Sequence, residues 1–246
     1  AVEAGIPDGV LNVVTGFGNE AGSALAEHPG VDKISFTGST QVGKQIVRAS
    51  AGNLKRITLE LGGKSPCIVF DDADMDAAIP GAAMAIFANT GQVCFAGSRL
   101  FVQRASYDKV VAGIADVAKG LKIGAGFDRE SVLGPVISRK QRDRVMDYID
   151  IGRQEGAELV TGGGTSGRQG FFIEPTVFAD VNASMRIVNE EIFGPVLVAT
   201  PFDDFDDLIR LANDTRYGLG AGVYTGDVNK AHHFADRLEA GNVWVN

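Results

Sequence analysis

Short runs of β-branched and aliphatic residues alternate along the chain with stretches whose apolar positions recur every three or four residues. The first pattern predicts strands over residues 10–14, 31–36, 56–61, 68–70, 99–103, 171–177, 196–201 and 222–225. The second predicts helices over 20–28, 40–49, 74–88, 107–121, 138–155, 205–213 and 228–238. The helix over 107–121 is the cleanest, with Tyr107, Val110, Val111, Ile114, Val117, Ala118 and Leu121 on one face. That over 74–88 is apolar nearly all round and contains Pro80, so it reads as buried on several sides, with the proline kinking it or setting its first turn. The run 161–167, Thr-Gly-Gly-Gly-Thr-Ser-Gly, reads as a surface loop. Strands alternating with helices imply a largely parallel, doubly wound α/β sheet covered on both faces. No internal repeat is visible.

The ends read as cut. Ala1 opens within what reads as the end of a helix, and residues 241–246 stop in mid-strand, as in part of a longer polypeptide. The 246 residues suit one large or two small domains, and 32 glycines are nearly twice the ordinary share of about 7%. They follow no three-residue period, which excludes collagen and implies many tight turns. A net charge of −8 without clustered Lys and Arg argues against nucleic acid. The apolar runs fall well short of the ~20 residues of a membrane span, and no export signal is visible. Two cysteines, Cys67 and Cys94, and three histidines supply neither a disulfide framework nor a metal-ligand spacing, so no metal and a reducing, cytoplasmic setting are expected.

Three glycine clusters invite a chemical reading. Gly38-Ser39-Thr40-Gln41-Val42-Gly43-Lys44 fills seven places of the phosphate-loop pattern, but Gln45 removes the hydroxyl that would hold Mg²⁺. A diphosphate on the helix N-terminus, without metal, fits better than a nucleoside triphosphatase. Gly16-Phe17-Gly18, followed by Gly22, has one residue too many for the dinucleotide fingerprint and reads as a turn. The third cluster is Leu59-Glu60-Leu61-Gly62-Gly63-Lys64-Ser65-Pro66. Glu60 there is either paired with Lys55, Arg56 or Lys64, or is a partly desolvated carboxylate with a raised pKa that accepts a proton.

Cys67, within Pro66-Cys67-Ile68-Val69-Phe70, fits an inert core thiol. Cys94 differs, because Asn89, Thr90, Gly91, Gln92, Ala96 and Gly97 around it make an irregular polar loop whose backbone N–H groups can stabilise a thiolate or an oxyanion. No histidine is near in sequence, so the available base is Glu60.

These motifs, together with Phe36-Thr37-Gly38-Ser39-Thr40 and Glu190-Glu191-Ile192-Phe193-Gly194-Pro195, come in an order that resembles the aldehyde dehydrogenase superfamily over essentially the whole chain. The likeness is greatest to its NAD(P)+-dependent, acid-forming members. It implies part of a Rossmann-like cofactor domain over residues 1–62 and an α/β catalytic domain over 63–246. Cys94 would attack the aldehyde to give a thiohemiacetal, with its own N–H helping to hold the oxyanion. Loss of hydride to NAD or NADP leaves a thioester, and Glu60 would activate the water that releases the acid. Gly38, Ser39, Leu61 and Gly62 would border the cofactor, Glu191 would hold the nicotinamide ribose, and Phe193 would pack beside the ring. The resemblance also implies an aldehyde substrate, a homodimer or homotetramer, and an oxyanion-hole Asn outside this sequence. Phe95 stands where the family more often has a small or aliphatic residue. Two other readings remain open: a Cys-dependent hydrolase or acyl transferase without nicotinamide, and a non-catalytic domain that keeps the fold.

Overall fold

The computed structural model describes residues 2–167 and 169–246, so the expected helix end at Ala1 lies outside the described residues. Two compact units divide the chain, Ala1–Leu61 and Gly62–Asn246.

In the first unit, a turn at Gly18–Gly22 leads into helix α1 (Ser23–Glu27), strand β1 (Lys33–Thr37), helix α2 (Thr40–Ser50) and strand β2 (Arg56–Glu60). β1 and β2 pair in parallel, with Thr37 opposite Glu60. Both strands alternate: Ile34, Phe36, Ile57 and Leu59 are half-buried, whereas Lys33, Ser35, Thr37, Arg56, Thr58 and Glu60 are exposed. Residues 10–14, expected as a strand, form none. Among the described residues the only strand ladder of this unit joins β1 to β2, and without a hydrogen-bonded neighbour an apolar run has nothing to extend against. Lys55 lies buried and caps α1, its Nζ donating to the carbonyls of Ala26 at 2.6 Å and His28 at 2.9 Å.

The second unit contains β3 (Pro66–Val69), α3 (Met75–Phe87), β4 (Arg99–Gln103), α4 (Tyr107–Gly120), α5 (Arg139–Gln154), β5 (Glu158–Thr161), β6 (Thr176–Ala179), α6 (Arg186–Asn189), β7 (Val196–Phe202), α7 (Phe205–Asn213), β8 (Gly220–Tyr224), α8 (Val228–Arg237) and β9 (Asn242–Val245). Its seven strands run in the order β5-β6-β7-β4-β3-β8-β9. All neighbours are parallel except the β5–β6 pair.

The two-residue period of each strand deals its side chains to opposite faces. Cys67, Val69, Leu100, Val102, Leu197 and Ala199 pack with α3 and α4, while Ile68, Phe70, Phe101 and Val223 pack with α7 and α8. Val196 and Val198 join α5 and α6 on that second side. The doubly wound α/β architecture expected from the alternation is therefore present.

Two edge features depart from expectation. β5 lies between the helix expected over 138–155 and the loop expected over 161–167, where no strand is expected, and the strand expected over 171–177 begins only at Thr176. Pro175 has no N–H to give a ladder, and Ile173 makes only an isolated bridge to Thr165. Among the described residues no helix is long and apolar enough to cross a membrane.

Candidate active site

The site residues read from the sequence fall in both units. In the first, Gly38 and Glu60 come together at the ends of the parallel pair, where the Gly38 N–H donates to the Glu60 carbonyl at 3.0 Å. Ser39 caps α2, its Oγ accepting from the Val42 N–H at 3.3 Å. Gly43, the sixth place of the phosphate-loop look-alike, is buried because α2 approaches Leu61 closely. A Cβ there would lie 2.7 Å from Leu61 Cδ2. Close packing thus accounts for that glycine without any triphosphate.

The Glu60 side chain is exposed, and among the described residues it joins no ion pair. Neither expected alternative, a salt bridge or a desolvated carboxylate, is formed within its unit. Alternation on β2 puts Glu60 on the open face with Arg56 and Thr58, so no apolar strand is forced to hold a charge.

In the second unit, Cys94 lies half-buried in a loop that follows α3. The approach to it is strained: Asn89, Thr90 and Gly91 take φ values of +51°, +56° and +66°. The left-handed region is costly for a β-branched residue such as Thr90. Side-chain bonds brace the bend, with Gln92 Nε2 donating to Thr90 Oγ1 at 2.7 Å and Asn89 Nδ2 to the Gln92 carbonyl at 3.2 Å. Gln92 Oε1 also accepts from the Ile137 N–H at 2.9 Å. The Gly97 N–H ties the far side of the loop to Ala85 of α3 at 3.0 Å. Among the described residues the Cys94 N–H donates to no partner, which leaves it free for an oxyanion.

Three glycines lock this loop to the segment after α6. A Cβ on Gly91 would strike the Gly194 carbonyl, one on Gly63 the Cys94 carbonyl, and one on Gly62 the Glu191 carboxylate. The Gly63 N–H donates to Glu191 Oε1 at 3.2 Å. Cys94, Gly62, Gly63 and Glu191, scattered over 130 residues of sequence, thus share one corner of the unit. Arg144 Nη2 donates to the Glu191 carbonyl at 2.6 Å, and Gln141 Nε2 to the carbonyls of Ile192 at 3.1 Å and Phe193 at 2.8 Å. These bonds hold Phe193 at φ +60° with its ring partly exposed. Burial pushes the Glu191 carboxyl above its usual range, opposed by the Gly63 N–H, Arg144 and Lys64.

The two thiols differ as their sequences suggested. Cys67 is fully enclosed in the core, and burial pushes its thiol up to about 12. Phe95, beside Cys94, is exposed and packs against Trp244, the rings tilted at 41° with centroids 5.3 Å apart. The pair borders an apolar hollow of about 210 Å³ lined also by Pro66, Cys67 and Tyr224.

Several participants escaped the sequence reading. Gln141 and Arg144 donate to backbone carbonyls far away in the chain, and Gln92 accepts from the distant Ile137 N–H, which no local pattern reveals. Lys64 was read only as a partner for Glu60, but it is among the largest fully buried side chains. Among the described residues no cluster of three or more His, Cys, Asp or Glu is placed to hold a metal.

A model described as the aldehyde dehydrogenase family matches residues 1–246. The chain belongs to the aldehyde dehydrogenase family. It is 51% identical over 245 residues to an aldehyde dehydrogenase of Aspergillus niger, covering 99% of this chain and 49% of that protein. It is likewise 50% identical over 245 residues to the cytosolic aldehyde dehydrogenase 1 of Rattus norvegicus, with the same coverage. An NAD+ complex of aldehyde dehydrogenase from Bacillus cereus matches with a TM-score of 0.97 and 50% identity, over 99% of this chain and 50% of that one. Betaine aldehyde dehydrogenase from Staphylococcus aureus, also an NAD+ complex, matches at 0.96 and 42%, over 99% of this chain and 49% of that one. This aldehyde dehydrogenase chain therefore spans about half the length of the relatives it matches.

Proposed function

We propose that the complete protein oxidises an aldehyde to its carboxylic acid, with Cys94 as nucleophile and Glu60 as the base that activates water. The observation that carries this reading is the double-glycine turn of the second unit. One of its glycines lies against the Cys94 carbonyl, and the other against the Glu191 carboxylate. A nucleophile loop and a hydroxyl-binding carboxylate on one turn suit a thiol that must work beside a bound dinucleotide.

The residues fit such a cofactor. The first-turn N–H groups of α2 behind Ser39 suit a diphosphate, and the Glu191 carboxylate, already held by one N–H, has oxygens left to accept from ribose hydroxyls. Partly exposed Phe193 offers a flat apolar face for the nicotinamide ring. NAD(P)+, when bound, supplies the hydride acceptor. The Cys94 sulfur adds to the carbonyl carbon, and the new alkoxide is held by the unpaired Cys94 N–H. Loss of hydride from that carbon leaves an acyl thioester on Cys94. Glu60 takes a proton from water, which attacks the acyl carbon, and the acid leaves as the thiolate reforms. Exposure of Glu60 lets its side chain swing, as both avoiding the thiolate and serving as base require. An aldehyde-sized hollow beside Phe95, a homo-oligomeric assembly and a cytosolic setting complete the proposal, the last supported by the name of the rat relative.

The test uses the full-length protein with aldehyde and NAD+ or NADP+, followed by absorbance of the reduced nicotinamide. Steady production is expected from the wild type and none from Cys94→Ser. Glu60→Gln is expected to give a single burst and then stall before acid release. Turnover of Glu60→Gln at the wild-type rate refutes the base, and ester hydrolysis with no nicotinamide reduction by any aldehyde refutes the oxidation.

A further inference from the structure

Lys64 is enclosed in the second unit, only 1% exposed, and its Nζ has no hydrogen-bond partner among the described residues. A buried ammonium without a partner is one of the most costly groups a fold can hold, and it persists only where something answers its charge. Its backbone is fixed on both sides. Gly63 just before it donates to Glu191, and the Lys64 carbonyl accepts from Arg99 Nε at 2.8 Å. Arg99 cannot be the answering charge, because it is itself a cation. It is also already spent on the carbonyls of Lys64, Leu211 and Ala212. The carboxylates whose charge acts most on Lys64 are Glu191, held beside it by the Gly63 N–H, and after it Glu190. Glu190 is committed elsewhere, bridging Arg186 and Tyr148. Glu191 is left, a carboxylate that Arg144 also helps to hold ionised.

We propose that Lys64 is a positioning residue for the cofactor seat, its buried charge keeping the Glu191 carboxylate ionised and aimed at hydroxyl groups. The inference rests on the reading of Glu191 as the ribose-binding group. Burial and the neighbouring Arg99 draw the Lys64 amine down to about 7, so it still carries its charge on the acid side, where a carboxylate titrates. Lys64 and Ser65 also line a hollow of about 10 Å³, the size of one water site. A neutral molecule in so small a space would leave the charge unanswered.

Removing the positive neighbour raises the proton affinity of a carboxylate that burial already disfavours in its charged form. The experiment is NAD+ affinity by calorimetry on the full-length enzyme between pH 5 and 8, with folding checked by thermal melting. Wild-type affinity should fall as the pH drops through the Glu191 titration. Lys64→Met should begin that fall at higher pH and bind about tenfold more weakly on the acid side, with the gap narrowing toward pH 8. Lys64→Arg should retain the wild-type curve. If Lys64→Met does not fold, Lys64→Gln, a shorter polar side chain, should shift the curve the same way. A neutral variant that folds yet follows the wild-type curve overturns the proposal, as does a wild-type affinity that is flat across the range. Glu191→Gln separates the two readings. If it weakens binding at every pH while Lys64→Met changes nothing, the cofactor seat stands and the role of Lys64 falls. If it leaves NAD+ affinity intact, the seat itself is wrong and Lys64 falls with it.

Discussion

Replacing Gly62 by alanine tests the cofactor seat with little cost to the fold. The new Cβ would lie 2.7 Å from Glu191 Cδ and 2.9 Å from Oε1. Ordinary carbon contacts lie near 3.5–4.0 Å, so one partner must move by roughly 1 Å. The obstacle is the far end of a flexible side chain, and Gly62 has no positive φ, so the carboxylate yields and the backbone stays. At 3.2 Å the bond from Gly63 N–H to Oε1 is already long, and that displacement breaks it. Losing it costs on the order of 1 kcal/mol, offset by the ~0.4–1 kcal/mol that alanine takes from unfolded-chain entropy. The melting midpoint of the full-length protein should therefore move by no more than about 2 °C. Binding is another matter. A misaimed carboxylate forfeits hydrogen bonds of the charged class, about 1.5–3 kcal/mol, so NAD+ affinity should fall roughly ten- to hundredfold. Titration calorimetry alongside a thermal melt measures both quantities. An unchanged affinity in a protein that melts normally would refute the assignment of Glu191. A large drop in melting midpoint would refute the claim that only the side chain gives way.

Gly91→Ala should behave in the opposite manner. Its φ of +66° disfavours any side chain, and the obstacles are the backbone atoms of Gly194 and Pro195. A loss of stability of about 2 kcal/mol or more is expected in chemical denaturation, together with loss of activity. In a third case, the Arg186 guanidinium beside Glu190, with the Tyr148 hydroxyl, holds the Glu190 carboxyl down to about 2. A folded-state value below the usual one adds stability that is fully present above the ordinary value of 4.5 and is lost as the pH falls toward 2. Urea midpoints of Glu190→Gln should thus lie below wild type at pH 7 and converge with it near pH 2, and a gap independent of pH would contradict the linkage.

Much of this protein is written in local patterns. The strand–helix alternation determines a parallel sheet covered on both faces, because a period of two and a period of 3.6 each bury one side of an element. The contrast between Cys67 and Cys94 is equally local: apolar β-branched neighbours bury one thiol, while glycines and amides leave the other in an irregular loop. Tertiary structure decided what depends on partners distant in the chain. Residues 10–14 have the residue types of a strand but no ladder to join, and Pro175 delays the strand expected over 171–177 until Thr176. Glu60 looked costly in an apolar strand until the pairing of β1 with β2 showed which face it takes. The close contacts of Gly62, Gly63 and Gly91 and the enclosure of Lys64 arise only when segments up to about 130 residues apart meet. Sequence periodicity reports which side of an element is dry, and the positions of opposing atoms emerge only once those dry sides are packed together.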